Sequence, residues 1–94
     1  MDNKIKQVEC FITGRVQLVM FRDFAQRKAR KLGITGTVVN LPDGSVKIEA
    51  QGSEKKLLQF ISCLKKGSML AKVEDVSVEW TSPSEFFEDF KIIF

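Results

Sequence analysis

Between Gly14 and Arg22 the chain runs Gly14-Arg15-Val16-Gln17-Leu18-Val19-Met20-Phe21-Arg22, a bend between an apolar strand-like segment and a helix-like one, with an arginine just beyond it. That spacing suits an anion. The first backbone N–H groups of a helix have no partner within it, and the aligned peptide dipoles leave partial positive charge at the same end. A phosphate satisfies both. Arg22 strengthens the inference, because a cation at a helix N-terminus is misplaced by roughly 0.3–1 kcal/mol unless an anion shares the site. A penalty so small also allows a solvated surface arginine. The chain has no histidine, which removes the usual general base, the usual activator of serine or cysteine and the commonest zinc ligand.

Around this bend, Val8, Cys10 and Ile12 alternate with Glu9, Phe11 and Thr13, predicting a half-buried strand within residues 5–16, with Phe11 an exception on the polar face. Phe21, Phe24, Ala25, Ala29 and Leu32 recur at three- and four-residue spacing and predict an amphipathic helix ended by Gly33. Arg27, Arg30 and Lys31 in its last turns read as surface charges that suit the dipole there. Residues 35–41 and 45–51 read as two strands paired antiparallel across Pro42-Asp43-Gly44. Ser53 caps a second helix through Lys66 with Leu57, Phe60, Ile61 and Leu64 as its core stripe, and Gly67 stops it. Val73, Val76, Val78 and Trp80 suggest a fourth strand. Phe90, Ile92 and Phe94 suggest a short fifth one after a break at Ser82-Pro83-Ser84.

The order β-α-β-β-α-β plus a terminal strand is the split βαβ pattern, an α+β sandwich whose antiparallel sheet carries both helices on one face. One helix then links the bend after the first strand to the second strand of the same sheet. Asn40, near the end of that second strand, can therefore lie close to the bend. Asparagine is depleted in strands, so a turn residue ahead of Pro42 is the competing assignment.

Ninety-four residues suffice for a single domain, 1–94, with its own core and no need of metal or disulfide support. Hydrophobic residues are 44% and charged residues 29% of the chain, ordinary for a globular protein. No apolar run approaches the roughly 18 residues of a membrane helix, and Met1-Asp2-Asn3-Lys4 lacks the apolar stretch of a signal peptide, so the cytoplasm is the expected compartment. Cys10 and Cys63, each among apolar neighbours, are expected to be buried free thiols. The net charge of +3 favours small anionic substrates and is too weak to imply nucleic acid.

Taken together, Gly14 to Arg22, Leu32-Gly33, Gly36-Thr37-Val38-Val39-Asn40 and Asp43-Gly44 resemble the acylphosphatase family, in the right order and over essentially the whole chain. The resemblance implies a ferredoxin-like sandwich and hydrolysis of acyl phosphates to a carboxylate and inorganic phosphate. It implies no cofactor and no metal; a small acyl phosphate is the expected partner, with no nucleic acid, no membrane and a monomeric state. Carried over by position, Arg22 is the phosphate-binding arginine and Asn40 the residue that holds the attacking water, while Arg15, Val16, Gln17, Leu18, Val19 and Met20 supply loop amides. Such chemistry needs no histidine, because a carboxylate of pKa around 4 leaves without protonation.

Leu18 departs from the family pattern, which has glycine there. A positive φ at this position would strain leucine or shift the amides; the alternative is an ordinary conformation with the side chain exposed on the pocket rim. A phosphate- or partner-binding module with weakened catalysis is therefore the alternative function. An RNA-binding sheet face is disfavoured by the absence of aromatics in Val46-Lys47-Ile48-Glu49-Ala50. A cysteine phosphatase is disfavoured because Cys10 falls within the strand, ahead of the loop.

Overall fold

A computed structural model of the chain describes residues 4–94, so the reading of Met1-Asp2-Asn3 lies outside the described residues. The elements are β1 (Lys6–Arg15), α1 (Phe21–Lys31), β2 (Thr35–Asn40), β3 (Val46–Gly52), α2 (Glu54–Lys66), β4 (Lys72–Thr81) and β5 (Phe90–Ile93). They form one five-stranded sheet in the order β4-β1-β3-β2-β5. From β4 through β1 and β3 to β2 each adjacent pair is antiparallel, the expected pattern. The terminal strand β5 adds itself parallel to β2, so the complete sheet is mixed.

Period-two alternation decides which face of the sheet is dry. Val8, Cys10 and Ile12 of β1, Val38 of β2 and Val46, Ile48 and Ala50 of β3 are fully buried together with Phe21, Ala25 and Ala29 of α1 and Leu57, Phe60 and Leu64 of α2. Both helices thus cover one face. Phe60 meets Phe90 of β5 edge-on, with ring centroids 5.8 Å apart, a geometry that suits the ring quadrupoles. Ser53 caps α2 by accepting from the Lys56 amide, and Gly67 closes it by donating to the Cys63 carbonyl. On the open face Phe11 lies near the Lys47 ammonium, which pairs with Glu9 and Glu49. Gln51 is buried on that side because the segment between β4 and β5 crosses it: its amide donates to the Glu85 carbonyl and accepts from the Phe87 N–H.

The cysteines divide. Cys10 is fully buried between β3 and β4, as expected, whereas Cys63 is only partly covered at the margin of the α2 stripe. Burial first, and the neighbouring Glu9 charge second, push the Cys10 thiol up to about 12. In the unfolded chain it would ionise near 9.0, so between these values the unfolded state holds fewer protons and stability falls as pH rises, by at most about 1.4 kcal/mol per pH unit. Thiol titration of the native protein is expected to modify Cys63 and spare Cys10 until denaturant is added; equal rates for both in native buffer would contradict this burial.

Candidate active site

Gly14 begins the site. At Thr13/Gly14 the β1–β4 register shifts by a bulge, and Gly14 takes φ 120 with its Cα so close to β4 that an added Cβ would sit 2.1 Å from the Lys72 carbonyl oxygen. Only glycine fits such an approach. Gly14→Ala combines a disfavoured φ with a backbone clash and is expected to destabilise the fold by about 3 kcal/mol or more; an unchanged denaturation midpoint would contradict the geometry.

Beyond the bulge, the loop turns twice through left-handed backbone, at Leu18 (φ 61) and Met20 (φ 60). The expectation of an ordinary conformation at Leu18 is therefore overturned, while its exposure on the pocket rim holds: the side chain is 100% exposed. Leucine in this region is disfavoured by roughly 1–2 kcal/mol, and the loop keeps the bend despite it. Anchorage by Gln17 explains how. Its Nε2 donates to the carbonyls of Leu41 and Ser45, each at 2.8 Å, tying the loop to the β2–β3 hairpin. The hairpin is itself braced by Asp43, whose carboxylate accepts from the Ser45 hydroxyl and amide. The Ser45 hydroxyl, then its amide, hold the Asp43 carboxyl below the usual range, so this brace is complete above that range and is lost as pH falls through it.

Met20 is the N-cap of α1 and offers no side-chain cap. Among the described residues, no backbone hydrogen bond outside the helices and strands has an amide of residues 16–20 as its donor. The loop and the first turn of α1 thus present unpaired N–H groups.

One pocket of about 420 Å³ lies against this loop, lined by Val16, Leu18, Met20, Phe21, Arg22, Asp23, Asn40, Ile92 and Phe94. Arg22 and Asn40 are brought to the same cavity. Val16, Leu18 and Met20 join them there, whereas Arg15 closes β1 opposite Lys72, Gln17 faces the hairpin and Val19 packs against the core. Asn40 is the last residue of β2, paired with Val46, and its Oδ1 is buried without a hydrogen-bond partner. No group among the described residues donates to it, so this acceptor is left for a donor from outside the chain. Arg22 has no carboxylate partner among the described residues: adjacent Asp23 instead accepts from Arg27 Nε at 2.9 Å. The Arg22 guanidinium lies 4.8 Å from the centre of the Phe94 ring and donates to the Ile93 carbonyl at 3.3 Å. Most of its five N–H donors remain for a ligand.

The support of Arg22 by β5 was not foreseen from sequence. Arg22, Gln26 and Arg30 follow at four-residue spacing and so share one face of α1. Gln26 donates to the Phe90 carbonyl, and Arg30 forms a two-pronged pair with Asp89 just before β5. Arg30 is accordingly a tie to the terminal strand as well as a surface charge. The sequence signal for this row is the periodicity itself, polar at 22, 26 and 30 beside an apolar stripe.

Among the described residues, no three of His, Cys, Asp and Glu gather in a way that could hold a metal ion. Cys10 does not line the pocket and stays protonated at neutral pH, so the chain lacks the thiolate a cysteine phosphatase needs there. No helix among the described residues is long and apolar enough to cross a membrane.

The family model for acylphosphatase matches residues 8–92. The chain belongs to the acylphosphatase family. It is 45% identical over 87 residues to an acylphosphatase of Salinibacter ruber, covering 93% of this chain and 92% of that one. With an acylphosphatase of Thermotoga maritima the identity is 46% over 88 residues, covering 94% and 97% of the two chains. In three dimensions the fold matches the crystal structure of acylphosphatase from Bacillus subtilis with a TM-score of 0.92 at 38% identity, covering 97% of this chain and 100% of that one. The ferredoxin-like acylphosphatase sandwich expected from the sequence is thus the fold observed, and the bulge, loop and pocket are features of an acylphosphatase chain.

Proposed function

We propose that the chain hydrolyses the carboxyl–phosphate bond of small acyl phosphates, with the phosphate held by loop amides and Arg22 and the attacking water positioned by Asn40. The observation that carries this reading is the pocket shared by a guanidinium without a carboxylate partner and a buried carboxamide oxygen without a donor. Each lacks what substrate and water would supply.

In this mechanism the phosphoryl oxygens accept hydrogen bonds from the Arg22 fork and from the unpaired N–H groups of the loop and first helical turn. Asn40 Oδ1 accepts one O–H of a water and so aims its lone pair at phosphorus, in line with the bond to be broken. The water oxygen bonds to phosphorus, the acyl oxygen leaves with the bonding electrons as a carboxylate, and the surplus water proton passes to a phosphoryl oxygen. Preorganisation performs the catalysis, since the carboxylate departs as a stable anion. Left-handed backbone at Leu18 is the conformation in which leucine carries strain, so Leu18→Gly tests the weakened alternative: a large rise in turnover would show that leucine impairs the loop, and little change supports full activity.

In this reading the protein acts as a monomer in the cytoplasm. The open sheet face, with Glu9 and Glu49 around Lys47 beside Phe11 and the segment of Glu85 and Phe87 crossing Gln51, is a poor platform for RNA bases. Hydrolysis of benzoyl phosphate without added metal, beside a phosphate-monoester control, tests the proposal. Turnover of the acyl phosphate alone is expected; no turnover, or equal turnover of the monoester, would overturn it.

A further inference from the structure

The wall of the pocket bears on the other end of the substrate, an extension that rests on the acyl phosphate reading above. Around the phosphate-facing elements the lining is apolar: Leu18, Met20, Ile92 and Phe94. Three of these side chains are largely bare, Leu18 at 100%, Met20 at 72% and Phe94 at 96% exposure. Folding does not account for them. Leu18 and Met20 contribute little burial, and both sit in left-handed backbone that glycine or asparagine would occupy with less strain. Backbone outliers that persist without a packing reason point to function.

Position and charge narrow what this surface receives. The Phe94 ring lies beside the Arg22 guanidinium, so an acyl group attached to a phosphate at Arg22 emerges next to an aromatic face and the Leu18 side chain. Among the side chains of the lining Arg22 is the one cation and Asp23 the one carboxylate. With Arg22 engaged by the phosphate, a second negative charge on the acyl group would meet Asp23 and no cation. An uncharged, bulky apolar acyl group instead removes the exposed leucine, methionine and phenylalanine surface from water.

We infer that Leu18, Met20 and Phe94 form an acyl-group subsite that selects acyl phosphates with an uncharged, bulky apolar acyl group over acetyl phosphate and over acyl groups bearing their own carboxylate.

The experiment compares kcat/KM for benzoyl, acetyl and succinyl phosphate in the unmodified chain and in Leu18→Asn, Leu18→Gly, Met20→Ala and Phe94→Ala, with inhibition by inorganic phosphate measured in each. Asparagine tolerates the left-handed backbone and approximates the size of leucine, so Leu18→Asn removes apolar character without freeing the loop. The benzoyl-to-acetyl ratio is expected to fall about tenfold in Leu18→Asn and Leu18→Gly, on the scale of one withdrawn apolar contact, while inorganic phosphate still inhibits. Succinyl phosphate is expected to be the poorer substrate beside benzoyl phosphate in the unmodified chain. A ratio unchanged in all four variants, or a preference for succinyl phosphate, would overturn the subsite and leave acyl phosphate hydrolysis standing. Failure of the unmodified chain to hydrolyse any of the three would overturn both.

Discussion

Arg22→Ala is expected to lower kcat/KM for benzoyl phosphate by about 10²–10³, the loss that follows removal of a main donor aimed at developing charge. Arg22 sits at the N-terminal turn of α1, unpaired with any carboxylate among the described residues, and the Phe94 ring and Ile93 carbonyl hold it beside the pocket. The substitution should also weaken inhibition by inorganic phosphate, because in the proposed mechanism the guanidinium engages the group that substrate and product share. Arg22→Lys keeps the charge but lacks the planar fork, so it should recover phosphate inhibition in part and turnover less. Activity within a factor of about two of the unmodified chain in Arg22→Ala, far below the loss of an essential donor, would remove the guanidinium from the mechanism.

Asn40→Ala is expected to reduce kcat by about 10²-fold while leaving KM and phosphate inhibition nearly unchanged, because in the proposed mechanism the carboxamide orients water rather than substrate. Stability supplies a second readout. The Asn40 Oδ1 makes no hydrogen bond among the described residues, so its removal breaks no internal bond, and the variant should be about as stable as the unmodified chain. Reduced turnover with undiminished stability is the signature of a residue kept for chemistry. A fall in stability alongside unchanged kcat would show that Asn40 serves the strand and not the water.

Much of the arrangement was legible because local and global signals agreed. Ser53 and Gly67 bracket α2 where the capping rules put them, and the alternation of Val8, Cys10 and Ile12 identified the dry face of β1. Asn40 shows how context decides between assignments of equal local merit. Its type suggested a turn, and its pairing with Val46 makes it a strand end facing the pocket. The backbone of Leu18 and Met20 was not legible, since left-handed dihedrals are signalled by glycine or asparagine and neither is present. Gln17 was read only as a source of an amide, because its two acceptors lie far along the chain. The parallel pairing of β5 escaped for a related reason. Four residues carry little periodicity, and what seats them is burial of Phe90 against Phe60 and the polar row of α1.

That row has a thermodynamic consequence. Among the described residues β5 is the shortest strand and lies at the sheet edge, where local opening is least expensive, yet its Ile93 carbonyl and the Phe94 ring just after it steady the Arg22 guanidinium. Fraying of this edge and vacancy of the anion pocket are therefore linked equilibria: an oxyanion that binds only the seated arginine draws the edge strand closed by its own binding free energy. On the proposed reading, substrate affinity would thus partly measure how firmly β5 is zipped.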